Sequence, residues 1–337
     1  MIVSRAPVRF SLGGGGTDLP SYAREHGGFL VAASIDKYVF VVVSKRFYRD
    51  IRLAYSKTEH VDSIDDIEHR IFREALRYTD LRGGLELHSL ADVPANSGLG
   101  SSSTFTVALL NGLHAFKREY VSTAQLADEA CKIEIDILKE PIGKQDQYIA
   151  AYGGITAFTF NRDGSVEVEP LALPADVVDE LESNLLIFYS GVERSASEVL
   201  KEQAQVITSN KDSALERMHR IKALGYETKK ILLSGNTDAY GDLLHEHWSN
   251  KRKLATKMAS SEIDEHYEAA RKAGAIGGKL MGAGGGGFFM FYVRQADKRR
   301  VYDALVSRGL RPMPFRFDFD GARIMANFHR TFRENSQ

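Results

Sequence analysis

Over the first sixty residues the apolar positions fall at strand-like spacing. Strands are predicted over 2–12, 29–34 and the β-branched run 38–44, with a tetraglycine turn after the first. The period then lengthens. A helix is predicted over 64–77 and a strand over 85–89, which feeds a turn rich in glycine and serine. Beyond that turn Phe105, Ala108, Leu109, Gly112, Leu113 and Phe116 recur at helical spacing, so residues 101–117 form an amphipathic helix with serines at its N-terminus. A second helix over 123–139, capped by Ser122 or Thr123, places Leu126, Ala130, Ile133 and Ile137 on one stripe, and Glu134 falls on that stripe.

The pattern changes character near residue 160. Asn161-Arg162-Asp163-Gly164 reads as a hairpin turn between strands 155–160 and 166–168. Helices follow at 193–209, 213–233, 237–258 and 261–273, then a glycine cluster at 277–287 and a buried strand at 288–293. A helix at 297–308 and a strand at 311–319 complete an α+β pattern. At 337 residues two domains are expected, with the boundary near 160–180; the division taken is 1–170 and 171–337.

Composition narrows the function classes. A net charge of −1 with dispersed basic residues argues against a nucleic-acid or anionic-membrane surface, so any anion specificity must be local. The single cysteine, Cys131, excludes an internal disulfide and a cysteine-rich zinc site. The first residues lack the apolar core of a signal peptide, and the longest apolar runs are strand-sized; a cytoplasmic protein is expected.

Three segments carry candidate chemistry. Pro94-Ala95-Asn96-Ser97-Gly98-Leu99-Gly100-Ser101-Ser102-Ser103 sets two glycines and three consecutive hydroxyls at a helix start, where free N–H groups and the positive end of the helix dipole favour a phosphate. It matches neither the Walker A pattern nor the dinucleotide fingerprint. An ordinary capped turn is the alternative for that segment alone. In Arg5-Ala6-Pro7-Val8-Arg9-Phe10-Ser11-Leu12-Gly13-Gly14-Gly15-Gly16-Thr17-Asp18 a strand delivers Arg9, a turn and an acid to one region. The cluster 277–287, abutting an aromatic strand, implies backbone packed closely against a second domain or a nucleotide. In Pro141-Ile142-Gly143-Lys144-Gln145-Asp146-Gln147-Tyr148, Asp146 lies between Lys144 and Gln147, which suits a proton acceptor; a turn-forming aspartate is the alternative. A carboxylate on an apolar stripe, as at Glu134, needs a partner, either a hard divalent cation shared with phosphates or an arginine.

In this order and spacing the segments resemble the GHMP kinases, whose three motifs match residues 5–18, 94–104 and 277–287. The resemblance implies a two-domain fold, with a ribosomal-protein-like N-terminal α/β domain and a ferredoxin-like C-terminal α+β domain. It implies that Pro94, Ser97, Gly98, Leu99, Gly100, Ser101, Ser102 and Ser103 wrap ATP, and that Ser102 and Glu134 hold Mg²⁺. Asp146 corresponds to a catalytic base, Arg9 to the cation beside the transferred phosphoryl group, and Gly16, Thr17 and Asp18 to sugar contacts. Gly284 and Gly285 of the third motif support the nucleotide loop and the substrate pocket.

Gly14-Gly15-Gly16-Thr17-Asp18-Leu19-Pro20 lacks the Glu-His pair of galactokinases. With Gly191-Val192-Glu193-Arg194-Ser195-Ala196 it looks like the kinases of D-glycero-D-manno-heptose 7-phosphate. That branch implies phosphorylation of the anomeric hydroxyl to a 1,7-bisphosphate, feeding nucleotide-activated heptose and surface polysaccharide. Arg194, Lys144 and Lys279 are candidates for holding the sugar's phosphate, a small-molecule partner, in a monomer or homodimer. A 1-kinase of L-fucose or galactose type, or a non-catalytic sugar and ATP sensor, remains as the alternative reading.

Overall fold

The computed structural model describes residues 1–191, 211–252, 261–282 and 286–328. Its framework is a long first hairpin. Strand β1 (Ile2–Gly13) runs antiparallel to β2 (Gly28–Lys45), and the tetraglycine turn with helix α1 (Pro20–His26) joins them. Strand β2 is long enough to serve two neighbours on its other side. Its first half pairs with β6 (Ile155–Phe160), and its second half pairs with β5 (Leu85–Ala91). The expected strands 29–34 and 38–44 are therefore one element that changes partner midway. Strands β3 (Ile51–Ala54) and β4 (Thr58–Val61) extend the sheet beyond β5, and β7 (Val166–Pro170) extends it beyond β6.

Helix α3 (Ser101–Lys117) packs against this sheet, and α2 (Arg70–Tyr78) and α4 (Thr123–Cys131) pack on α3. Helix 64–77 of the sequence pattern divides into a short 3₁₀ turn, Ile64–Asp66, and α2. The helix expected over 123–139 also changes form: after Cys131 it widens into a π-helical turn, Lys132–Ile137. Such turns recur at functional sites because the extra residue per turn re-aims side chains. Here Ile137 leaves the apolar stripe and is 41% exposed, while Glu134 is driven inside. Helix α5 (Gln145–Tyr152) lies between this turn and β6.

A second sheet follows helix α6 (Ala175–Asn184). Its order is β11 (Arg311–Pro312), β8 (Leu185–Tyr189), β10 (Phe288–Tyr292), β9 (Gly277–Leu280), all antiparallel. Strand β10 is buried at every position, as its unbroken apolar run requires. Helices α7 (Lys211–Ser234), α8 (Thr237–Lys251), α9 (Ser261–Lys272) and α10 (Gln295–Val306) complete this half. The expected helix at 193–209 lies outside the described residues, as does the end of the one expected over 237–258. The strand expected at 311–319 is only two residues long, with a single further bridge between Phe317 and Ile35. The chain then returns to the first sheet, where β12 (Arg323–Asn327) pairs with β1.

Candidate active site

The site is built where β1 meets the start of α3. Gly100 takes the N-cap position with φ of 76°, and no side chain among the described residues caps the helix, which leaves the first-turn N–H groups of α3 available to a ligand. The loop leading to it is anchored through its backbone and Arg9: the Arg9 N–H donates to Leu99 O at 3.1 Å, and Arg9 Nη1 donates to Gly98 O at 2.6 Å. Leu99 is fully buried and serves the core. Ser102 is exposed, Ser101 partly so, and Ser103 is buried; Pro94 lies at the surface. The Ser97 hydroxyl is buried and has no hydrogen-bond partner among the described residues.

Arg9 turns its remaining donors onto Asp146. Nε reaches Oδ1 at 2.7 Å and Nη2 reaches Oδ2 at 2.8 Å, a bidentate pair that fixes the plane of the carboxylate. The cation that orients Asp146 is thus Arg9, 137 residues away, and not the adjacent Lys144. Lys144 Nζ donates to Gly164 O at 2.6 Å, on the exposed turn between β6 and β7. Asp146 sits in the first turn of α5, where the helix dipole favours an anion. It also lies against the phosphate loop, because a Cβ at Gly100 would fall 2.9 Å from Asp146 Oδ2.

Glu134 is 1% exposed, and its partners among the described residues are hydroxyls and an amide rather than an arginine. Ser102 Oγ donates to Oε1 at 3.1 Å and Gln147 Nε2 donates to Oε2 at 2.7 Å; the same amide reaches Ser103 Oγ at 3.1 Å. Burial dominates and pushes the carboxyl up to about 7, opposed by the bonds from Gln147, Ser103 and Ser102. Nearby Asp146 raises it further, so the two carboxylates share one electrostatic neighbourhood.

The glycine turn contributes less sugar-facing chemistry than its sequence implies. The Thr17 hydroxyl is fully buried and engaged with backbone: it reaches Gly14 O at 2.8 Å and Phe29 O at 2.9 Å, and accepts from the Phe29 N–H at 3.1 Å. Thr17 therefore locks the turn onto β2 and has no hydroxyl to offer a sugar. Asp18 Oδ2 accepts the Gln145 N–H at 3.1 Å, capping α5. Burial raises the Asp18 pKa, against the pull of that N–H. Gly16 leaves open space beside it.

The third segment packs against the second. A Cβ at Gly282 would lie 2.5 Å from Gly98 Cα, and one at Gly98 would lie 2.8 Å from Met281 O, so glycine is required on both sides of this contact. Gly284, Gly285 and Arg194 lie outside the described residues. Two groups that no motif pointed to also reach the site. Lys251, at the end of α8, donates to Gly282 O at 2.5 Å, and it feels the charges of Arg9 and Asp18. Burial holds its ammonium down at about 8. His247 lies one turn earlier, 2% exposed.

Free N–H groups that can hold a phosphate, with a carboxylate fixed beside them, suit the transfer of a phosphoryl group to a hydroxyl. That chemistry defines a phosphotransferase with an alcohol as acceptor. Residues 68–154 match the family of GHMP kinases at its N-terminal domain, and residues 228–310 match the GHMP kinases C-terminal region. A solved structure titled as a D-glycero-D-manno-heptose 1-phosphate kinase, from Bacteroides thetaiotaomicron, is 30% identical, with a TM-score of 0.81 over 97% of this chain and 100% of that one. The D-glycero-alpha-D-manno-heptose 7-phosphate kinase of Campylobacter jejuni is 28% identical over 96% of this chain and 98% of its own. A galactokinase of Thermococcus kodakarensis is 27% identical over 84% of this chain and 86% of its own. The chain belongs to the GHMP kinases and has their two-domain α+β fold. Among the described residues, no helix is long and apolar enough to cross a membrane.

Proposed function

We propose that the protein is a sugar kinase that transfers the γ-phosphoryl group of ATP to the anomeric hydroxyl of D-glycero-D-manno-heptose 7-phosphate, giving the 1,7-bisphosphate. The observation that carries the reading is the Asp146–Arg9 pair held against Gly98 and Gly100 of the phosphate loop. Asp146 takes the proton of the sugar hydroxyl while its oxygen bonds to the γ-phosphorus and the bond to ADP breaks. Arg9 keeps the carboxylate aimed and faces the charge of the phosphoryl group. Likeness to the Campylobacter heptose 7-phosphate kinase along nearly the full length of both chains supports the acceptor. In this reading Asp18 and Gly16 line the sugar side, and Thr17 shapes the turn. The first domain spans 1–170 and the second 171–337, with β12 contributed back to the first sheet.

The donor set at Glu134 fits Mg²⁺, which favours one carboxylate and a hydroxyl completed by phosphate oxygens. Ser102 and Glu134 would hold it, and when bound it supplies charge neutralisation to the nucleotide phosphates. The buried carboxylate, held with no cation among its hydrogen-bond partners in the described residues, is the structural reason to expect one.

The experiment compares kcat/KM for the heptose 7-phosphate, the unphosphorylated heptose, L-fucose and galactose with ATP. The heptose phosphate is expected to lead by at least roughly tenfold, and Asp146→Asn to lose turnover by a factor on the order of 10² or more while ATP still binds. A lead for L-fucose or galactose overturns the acceptor. Retained turnover in Asp146→Asn overturns the base.

A further inference from the structure

The second half of the chain brings to the site two lysines and a histidine that phosphoryl transfer to the sugar hydroxyl leaves without a task. Lys279 stands on β9 opposite Met290 of β10 and is only 2% exposed. Among the described residues the charges that reach it, Lys251 and Arg9, are both positive; burial, with these charges, holds its pKa well below the ordinary lysine value. His247 is equally buried, and neither ring nitrogen has a hydrogen-bond partner among the described residues. Among the described residues the charges that reach His247 are Lys279 and Lys251, again both positive; burial, with these charges, holds its pKa well below the ordinary histidine value, so the free ring is neutral. Lys251 as a residue is partly exposed. Its ammonium donates to Gly282 O at 2.5 Å, and Gly282 packs on Gly98, whose carbonyl holds Arg9. Among the described residues Asp18 is the one carboxylate whose charge is felt at Lys251, and it already accepts the Gln145 N–H.

Burying like charges together without an anion is costly, and a protein keeps such a group where a ligand brings the opposite charge. We propose that Lys279, Lys251 and His247 form the subsite for an anionic group carried by the acceptor sugar, a dianionic phosphomonoester. The nucleotide phosphates have their own cradle at the start of α3, and Arg9, held by Asp146 and Gly98, faces the transferred phosphoryl group. The three groups lie on α8 and β9, in the other half of the chain, and Lys251 communicates with Asp18 on the sugar side. A phosphomonoester carries close to two negative charges at neutral pH, enough to offset both ammonium groups. The subsite rests on the reading above that the acceptor is a sugar phosphate.

The test uses the full-length kinase with ATP and measures kcat/KM for heptose 7-phosphate and for the unphosphorylated heptose in wild type, Lys279→Met and Lys279→Arg. The ratio of the two constants is expected to fall roughly 30-fold or more in Lys279→Met, chiefly through KM, and to recover in part in Lys279→Arg. Nucleotide affinity measured by calorimetry shows that each variant is folded. If Lys279→Met does not fold, Lys251→Met, at a partly exposed position, is expected to show the same fall in ratio. A variant that slows both sugars equally overturns the subsite while the substrate reading stands. A wild-type enzyme with no preference for the phosphorylated sugar overturns the substrate reading itself, and the subsite with it.

Discussion

At the scale of single residues the site is governed by what burial does to carboxylates. Glu134 has no arginine among its partners in the described residues, and desolvation raises its pKa from the ordinary glutamate value of 4.5 to about 7. A folded-state pKa raised in this way contributes stability that is complete below about pH 4.5 and lost as pH rises through about 7. Glu134→Gln keeps the shape and removes the charge. It should stabilise the ligand-free protein at pH 8 by on the order of 2 kcal/mol relative to wild type, and hardly at pH 4.5. Thermal melts at the two pH values check this, and a destabilised variant at pH 8 would show that the carboxylate is held ionised by something else. The same substitution should weaken Mg²⁺-dependent nucleotide binding.

Much of this site is readable in the sequence, because glycines, hydroxyls and acids at fixed spacing leave few other uses. Arg9, Asp146, Ser102 and Glu134 do converge. Lys251 and His247 carry no such signal. One turn apart on a helix, they read as ordinary polar positions until β9 and the third glycine segment are folded over them. Thr17 misleads for the opposite reason: a threonine in a glycine turn looks available, but its hydroxyl is used up by the backbone of β2.

At the scale of elements, legibility follows how local the stabilising interactions are. Helix α3 and strand β10 announce themselves because each buries an apolar pattern of its own period. Helix α5 does not, since its N-terminal N–H is capped by Asp18 from 127 residues away and no local residue does that work. The π-helical turn after α4 is likewise invisible to a 3.6-residue period. Between α3 and α4 lies a polar clamp: His114 Nε2 pairs with Glu129 at 2.7 Å, its other nitrogen with Glu119 at 3.0 Å, and Gln125 supports Glu129 at 2.8 Å. The bond to Glu129 leads in raising the His114 pKa, against desolvation. The charged clamp is therefore complete below about pH 6.5 and weakens as pH rises through the higher folded value. His114→Gln is expected to cost on the order of 1–3 kcal/mol at pH 6 and less at pH 9. Urea denaturation at both pH values measures the difference, and an equal cost at each would mean that the charge contributes nothing.

At the scale of the whole molecule the two halves are interleaved rather than merely adjacent. The largest cluster of buried apolar residues joins Val8, Phe10 and Leu30 of the first sheet to Leu232 and Leu244 of the helices and Met290 of the second sheet. The Tyr240 hydroxyl, fully buried, donates to Leu12 O at 3.0 Å, and Tyr226 stacks on Phe29 with ring centroids 3.8 Å apart. Strand β12 covers the outer edge of β1, with Ile2 opposite Asn327 and Arg5 opposite Arg323. Just before it, Asp318 receives the Tyr38 hydroxyl at 2.8 Å and Arg5 at 3.6 Å. Strand β1 also carries Arg9, so the edge that β12 protects is the backbone that positions the phosphate loop. Removing residues 321–337 leaves that edge unpaired, and an exposed edge strand both loosens and invites association. The shortened chain is expected to melt at lower temperature and to lose turnover more than ATP affinity, since Arg9 aims Asp146. The fragment 1–170, deprived of β12 and of the helices that cover Phe29, should show no cooperative thermal transition by circular dichroism. A fragment that melts sharply on its own would establish that the first sheet closes its core without the second half, and that the shared core is a consequence of docking rather than a condition for folding.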